Sequence, residues 1–471
     1  MKYYLQYNGS KGNKTMRKTS KIRLIRFETH GIRNLSHPIS ILFQKNLSLT
    51  DDADAHDRVR AVYGPNGSGK TSLVLSLWLL ESLFNQHGFI SRCGYDLLEN
   101  LLNQSDPRYG IRLVFSVSDG QTPPRYFEYA LEAELKNGSF ALSKERFDLV
   151  RGRSLSSLSH EPIFSVEGGI LKAYATDGDP EFRSHIMNAT ANLLSSTPFP
   201  RLFMGAVCDE NIKRFNHYFD NVNRRAGYDR CLHNLIEFLS RLSTYLDSDD
   251  KHWERSADSL VQWEELSENI RGGEKAFASP LKPYNDYSVR LPRAEIDKYK
   301  DYIKRQAAFI RLFKPSLRDI EIRERLEGDY VRCHSIFIYD DAQLDFAFES
   351  TGIKKLANLF SCLERAANGG IVFVDELDAN IAGACLTQLV RFMNEYGQGQ
   401  LLFTAHAIDP MDALAEKSKA IYFIGEDNEV TAWTKNGTKK PQILYPRGFV
   451  PGIPFNMEPF DFLSSLLKEG D

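Results

Sequence analysis

One short stretch limits what this chain can fold into more than any other. Gly64-Pro65-Asn66-Gly67-Ser68-Gly69-Lys70-Thr71 matches the phosphate-loop pattern G-x-x-x-x-G-K-[ST] in full. Glycines at these positions let the backbone curl until successive N–H groups point inward, toward phosphate oxygens. A β-rich run, 58–63, leads into the loop. An apolar helical pattern leads out of it through Leu73, Val74, Leu77, Leu80 and Leu83. A helix beginning there adds its positive N-terminal end to the cradle. The unit predicts a nucleotide site with ATP and Mg2+ as its cofactors. Lys70 is expected to reach the β- and γ-phosphates and the Thr71 hydroxyl to bind the metal, with Ser72 completing the lining. Such a unit needs neighbouring parallel strands, so the chain is expected to be α/β.

The rest of the sequence supplies those strands in two blocks. Residues 22–27 and 39–43 read as strands. Residues 111–117, 126–135 and 140–149 alternate as an antiparallel meander, with turns at Asp119-Gly120 and Asn137-Gly138. Past 314, strands at 319–323, 335–339 and 343–348 precede a helix at 353–367, a strand at 371–374, a helix at 384–396 and a strand at 401–404. Between the blocks, 151–180 reads as loop and 181–310 as mostly helix, strongest at 211–246 and 294–313. The apolar spacing there is no sustained heptad, so no long coiled-coil arm is expected. The predicted organisation is a mobile arm at 1–20, one half of a P-loop layer with an antiparallel β-subdomain at 21–150, and a loop-rich, then helical, insertion at 151–313. The second half follows at 314–440, and a tail at 441–471 carries a short amphipathic helix at 461–467.

Three further motifs lie in the second block. Gly370-Ile371-Val372-Phe373-Val374-Asp375-Glu376 is an apolar strand ending in two acids. Asp375 is expected to hold the metal, and Glu376 to orient and polarise the attacking water. Ser350-Thr351-Gly352 opens the next helix and offers a second anion site. His406 ends the strand after Asp375 and is positioned to contact a γ-phosphate, while Asp378 begins a loop expected to cross to a partner subunit. Taken singly, each has an ordinary explanation: solvated acids, a helix cap, a structural histidine. Their order along the chain gives them weight.

Composition narrows the partners. Net charge is −3, from 59 basic and 62 acidic residues, which gives no global pull toward nucleic acid or anionic membrane. Arg224-Arg225 and Lys439-Lys440 are short clusters that solvated surface explains. The six cysteines, Cys93, Cys208, Cys231, Cys333, Cys362 and Cys385, show no C-x-x-C spacing. That argues against a zinc or redox centre and fits reduced thiols in a cytosol. No apolar run reaches the roughly 18–20 residues of a membrane helix, and residues 1–20 lack the apolar stretch of a secretory signal. A cytoplasmic protein without membrane contact is expected.

Four elements, P-loop, Ser-x-Gly, Asp-Glu and His, thus stand in one order. That order resembles the ABC ATPase family, in its soluble SMC-, RecF- and OLD-like branch. Phe348-Glu349-Ser350-Thr351-Gly352-Ile353-Lys354-Lys355-Leu356 looks like the signature segment of bacterial abortive-infection ATPases, and Asp375-Glu376-Leu377-Asp378-Ala379 fits the same group. The resemblance covers roughly 20–150 and 314–455 and leaves the insertion aside. It departs after Ala379, where Asn380-Ile381-Ala382-Gly383 replaces the family's usual Ser-Leu-His-Pro, and at Thr351, where transporters carry glycine. Gln104 is the nearest candidate for the nucleotide-sensing glutamine that the family resemblance implies.

The resemblance implies a composite site in which Ser350 and Gly352 of one copy cap the γ-phosphate bound by another. With one P-loop and one signature per chain, a homodimer holding two interfacial ATPs follows. Its closest use is the sensor ATPase of an anti-phage system. PARIS and Septu ATPase subunits are similar in size and layout, and such a subunit works with a separate effector, a nuclease or toxin, and a phage-encoded trigger. A RecF-type DNA-repair ATPase is the alternative. A self-contained OLD-type nuclease is disfavoured, because too little chain follows His406 for a Toprim domain. The split fold and large insertion speak against a transporter.

Overall fold

The structure, a computed structural model, describes residues 21–44, 47, 58–86, 88–93, 95–120, 122–136, 138–208, 227–246, 288–417, 419–434 and 440–450. The expected arm at 1–20, Asn137, Arg224-Arg225, Lys439 and the helix expected at 461–467 lie outside the described residues.

The N-terminal half begins with β1 (Lys21–His30), β2 (Ile39–Leu42) and β3 (Val59–Tyr63), followed by α1 (Lys70–Asn85) and two short helices, α2 (Phe89–Arg92) and α3 (Tyr95–Leu101). Long strands follow: β4 (Arg108–Ser118), β5 (Arg125–Lys136), β6 (Ser139–Arg151), β7 (Ser159–Glu167) and β8 (Ile170–Tyr174). Apart from β3, these strands form one antiparallel sheet in the order β2-β1-β4-β5-β6-β7-β8. A row of aromatic rings crosses its inner face. Phe115 stacks on Phe127 at 5.3 Å, Phe127 on Phe147 at 5.5 Å, and Phe147 meets Phe164 at 5.9 Å. Cross-strand aromatic pairs of this kind fix register.

The middle of the chain holds α4 (Pro180–Thr190), α5 (Phe199–Cys208) and α6 (Tyr228–Arg241), then β9 (Leu242–Tyr245), β10 (Ser288–Pro292) and α7 (Ile296–Arg311). Here the structure corrects the sequence-based expectation twice. Residues 151–180, expected to be loop, contain β7 and β8, which extend the antiparallel sheet. The end of the stretch 211–246, expected to be helix, is β9. All four β9 residues are buried, and they pair in parallel with the strand carrying Asp375, from Leu242↔Ile371 to Tyr245↔Val374.

The C-terminal half continues with β11 (Leu317–Glu327), β12 (Tyr330–Tyr339), β13 (Gln343–Asp345), α8 (Thr351–Ala367), β14 (Ile371–Val374) and α9 (Gly383–Tyr396). It then runs through β15 (Gln400–Thr404), α10 (Met411–Leu414), β16 (Ile421–Ile424), β17 (Val430–Ala432) and α11 (Pro441–Leu444). Residues 346–348, expected as strand, form one 3-10 turn capped by Asp345, whose carboxylate accepts from the Ala347 amide at 2.9 Å. β12 is central to a small antiparallel sheet with β11, β10 and β13. The other layer has the order β17-β16-β3-β15-β14-β9 and is parallel except at β17. The expected α/β class, with an antiparallel subdomain and a P-loop layer assembled from both halves of the chain, is therefore present.

α1 is apolar nearly all round and buried nearly all round, as a helix between two layers must be. It lies in one core cluster with inner residues of the antiparallel sheet and with Val62, Phe373 and Leu402 of the parallel layer. Polar side chains then join the layers. The Gln400 amide donates to the Leu24 carbonyl at 2.9 Å and accepts from the Leu24 amide at 2.6 Å, standing in for a neighbouring strand where β1 bulges between Leu24 and Arg26. Arg60 donates to the carbonyls of Leu42 (2.8 Å) and Phe43, and the Tyr422 hydroxyl donates to Leu42 at 3.0 Å.

Among the described residues no helix is long and apolar enough to cross a membrane. Cys93, Cys231, Cys333, Cys362 and Cys385 are free thiols.

Under the antiparallel sheet, Glu145 is only 2% exposed. Its carboxylate accepts from the Tyr129 hydroxyl and the Phe199 amide, both at 2.8 Å. Burial pushes it up from its ordinary 4.5 to about 7, against the opposing effect of those two donors. The folded state therefore holds this proton where the unfolded chain releases it, so Glu145 makes the fold less stable as pH rises from about 4.5 to 7. Glu145→Gln keeps a hydrogen-bonding amide there and removes the titration. Denaturant unfolding of the variant is expected to lose that slope, of the order of 1–3 kcal/mol across the interval.

Candidate active site

The parallel layer brings three of the predicted motifs to one edge. Thr404 of β15 pairs with Val62 of β3, and Phe423 of β16 pairs with Tyr63. Val374 of β14 pairs with Phe403 of β15. The residues just past these carboxyl ends are Gly64, Asp375 and His406. In an open α/β sheet this edge is where ligands bind.

The loop between β3 and α1 is tightly built. Gly67 has φ +79° and Gly69 φ +102°, values that L side chains rarely adopt. A Cβ on Gly69 would sit 2.5 Å from Leu35 Cδ2, and one on Gly64 would sit 2.6 Å from Ser68 Oγ and closer still to the Ile424 carbonyl. Two residues outside the motif brace the loop. Asn34 donates to the Gly67 carbonyl and accepts from the Ser72 hydroxyl at 2.9 Å. Asn428 donates to the Ser68 carbonyl at 3.2 Å. Neither announces itself in sequence, because each arrives from a distant turn.

This cradle fits a triphosphate. α1 has no side-chain cap, so its first-turn amides suit an anion. Ser68 Oγ is buried without a hydrogen-bond partner. Lys70, 7% exposed, donates to the carbonyls of Gly64 and Pro65, both at 2.9 Å. Burial holds its ammonium below the ordinary lysine range, while Asp375, Glu376 and Asp378 pull the other way. Those three acids thus face the same ammonium. Thr71, beside Lys70, and Asp375, 1% exposed, supply hard oxygen donors suited to Mg2+.

The carboxylates are held by their own chain. The Thr404 hydroxyl donates to Asp375 Oδ1 at 2.5 Å and accepts from the Glu376 amide at 2.8 Å. Glu376 has φ +45°, a left-handed conformation costing roughly 1–2 kcal/mol for a residue with a Cβ. His406 Nε2 lies 3.9 Å from Glu376 Oε1. Burial, then the nearby Lys70, hold the imidazole below its ordinary value, which favours the neutral ring. Asp378, which begins the loop expected to cross to a partner subunit, is hydrogen-bonded within its own chain. Its Oδ2 accepts from the amides of His406 (2.9 Å) and Ala407 (2.6 Å).

Ser350 and Gly352 lie at the start of α8. Ser350 is the cap of that helix, its Oγ accepting from the Ile353 amide at 3.4 Å. No hydrogen bond among the described residues joins either of them to 64–72. Gln104 is exposed. One further group with metal-ligand spacing, Glu128, Asp148 and His160, lies on the antiparallel sheet. Arg26 pairs with Glu128 at 3.1 Å and Arg146 with Asp148 at 2.7 Å, so arginines already neutralise it.

No protein-family model matches the chain, and no curated protein does. Solved structures similar to it include an SMC head bound to the C-winged helix domain of ScpA (11% identity, 88% of this chain and 98% of that one, TM-score 0.43). They also include the SMC head domain from Thermotoga maritima (11%, 88% and 100%, TM-score 0.29) and the recombination mediator RecF with ATP (13%, 88% and 100%, TM-score 0.36). With these identities and TM-scores, the reading of the site rests on its own geometry.

Gly64→Ala is expected to displace the loop from Ile424 and Ser68 and to weaken ATP binding by about 10-fold or more. A nucleotide titration checks it, with a thermal melt to show that the layer still folds.

Proposed function

We propose that the chain is an ABC-type ATPase that works as an ATP-driven homodimer. The observation carrying this reading is the meeting, at one sheet edge, of a buried P-loop lysine with the Asp375–Thr404–Glu376 network and His406. When bound, ATP·Mg2+ supplies the phosphoanhydride and the divalent charge. Lys70 would exchange its two loop carbonyls for phosphate oxygens, and Thr71 and Asp375 would hold the metal. Glu376 accepts a hydrogen bond from the attacking water and polarises it. The neutral His406 ring, beside Glu376, donates toward the γ-phosphate position. Ser350 and Gly352, which make no hydrogen bond to their own P-loop among the described residues, are left to serve the nucleotide of a second copy.

The task of the switch is proposed to be the sensor role in an anti-phage system, controlling a separate toxic effector. Its support is the abortive-infection-like segment around Ser350. Against a DNA-repair role, the described member of the Lys439-Lys440 cluster is already paired, with Lys440 Nζ 3.2 Å from Asp412. Arg290 and Arg332 share Glu327.

Three substitutions test the ATPase reading. Lys70→Ala is expected to weaken ATP binding about 100-fold. Glu376→Gln is expected to bind ATP normally, to lose about 10²–10⁴ in kcat, and to accumulate as an ATP-bound dimer in light scattering. Ser350→Arg is expected to bind ATP yet remain monomeric. Normal turnover in Glu376→Gln, or normal dimerisation in Ser350→Arg, contradicts the composite site. Copurification of Glu376→Gln with neighbouring gene products tests the defence role. Recovery of DNA and repair factors in place of a dedicated toxic partner favours the repair reading.

A further inference from the structure

The left-handed Glu376 peptide needs support beyond Thr404, and a residue of α8 provides it. Lys355, five positions after Ser350, is 4% exposed, and its ammonium donates to the Glu376 carbonyl at 2.5 Å. Burying an ammonium is unfavourable unless it is hydrogen-bonded. This one ends on the carbonyl of Glu376, the residue whose amide donates to the Thr404 hydroxyl from the other side. The start of α8 touches the same loop again, since a Cβ on Gly352 would lie 3.0 Å from the Asn380 carbonyl. Asn380 is itself left-handed, with φ +61°.

α8 is also poorly placed to move piecemeal. Ile353, Leu356, Ala357 and Phe360 lie in the core of the small sheet and α7. Leu359, Cys362, Leu363 and Ala366 lie in the core of the parallel layer. The Gln306 amide of α7 ties to the Ala357 carbonyl at 2.9 Å. A displacement at Ser350 is therefore carried along the helix as a unit, one turn and a half to Lys355.

We propose that Lys355 is a positioning residue. It holds the Glu376 peptide in its left-handed conformation, so that the helix begun by Ser350 supports Glu376 of the same chain. This rests on the ATPase reading above. Its consequence is that engagement of Ser350 by a second copy's nucleotide bears on water activation at this chain's own site. Nothing in the sequence pattern sets Lys355 apart from its half-buried neighbour Lys354 in an amphipathic helix.

The test is steady-state and single-turnover ATP hydrolysis, with nucleotide titration, on Lys355→Met, Lys355→Arg, Glu376→Gln and the double variant Lys355→Met/Glu376→Gln. Methionine keeps the apolar stem and removes the donor. Lys355→Met is expected to bind ATP within about two-fold of the parent and to lose about 10- to 100-fold in kcat, as a displaced catalytic group does. Lys355→Arg is expected to restore part of that loss. In the double variant the losses do not add, because Lys355 acts through Glu376. Wild-type turnover in Lys355→Met overturns the proposal, as do losses that add. Failure of both single Lys355 variants to bind ATP also overturns it, by making Lys355 a structural residue. If Glu376→Gln itself turns over normally, the reading of the site falls instead. If Glu376→Gln stalls while Lys355→Met does not slow, only this inference falls.

Discussion

The position of β3 between β15 and β16 is the constraint on which the rest of the structure depends. β15 and β16 are consecutive strands of the second half of the chain, yet a strand from the first half separates them. Parallel pairing on both sides aligns the carboxyl ends of all three. The P-loop, which begins at Gly64, is thereby set beside Asp375, Thr404 and His406. None of those residues is near it in sequence. Inserting β3 also forces α1 beneath the antiparallel sheet, which accounts for a helix with almost no polar face. A strand recruited from so far away depends on anchors, and Arg60 and Tyr422, both reaching Leu42, provide them.

The same constraint explains what could be read in advance. Motifs written in consecutive residues were legible: the P-loop, the apolar strand ending in Asp375-Glu376, the strand ending at His406, and the helix opened by Ser350. Their chemistry depends on local spacing, and their strands are short buried runs bounded by recognisable turns. Groups whose role depends on contact between distant segments were not legible. Asn34 and Asn428 brace the P-loop from turns that carry no motif. Thr404 reads as the last residue of a strand until Asp375 and the Glu376 amide arrive beside it. Asp378 begins the loop after Glu376, and only the fold brings its carboxylate to two amides of the neighbouring segment.

The insertion was misread for a related reason. Leu242-Ser243-Thr244-Tyr245 continues the apolar rhythm of α6, and a short buried strand cannot be told from a helix end by periodicity alone. What turns it into strand is an edge to pair with. β14 offers unpaired backbone on the side away from β15, and β9 fills it. The Asp375 amide then donates to the Tyr245 carbonyl at 2.8 Å. The segment that looked most separate from the P-loop layer thus touches the backbone of its most buried carboxylate. Thr244 extends the tie to α1 by donating to Glu81 at 2.6 Å.

The charge arrangement at the edge carries the argument one step further. Asp375, Glu376 and Asp378 all act on Lys70, and His406 is biased toward its neutral form by burial and by that same lysine. Acidic groups therefore outnumber cations around the cradle. In the proposed ATPase, a triphosphate brought here without compensation meets like charge at short range, in surroundings that screen it poorly. Lys70 alone cannot offset it, since burial already disfavours its charge. In that reading, a divalent cation held by Thr71 and Asp375 would remove the conflict. The acids that would repel a bare nucleotide would then be the groups that make metal-bound nucleotide the form the proposed ATPase accepts.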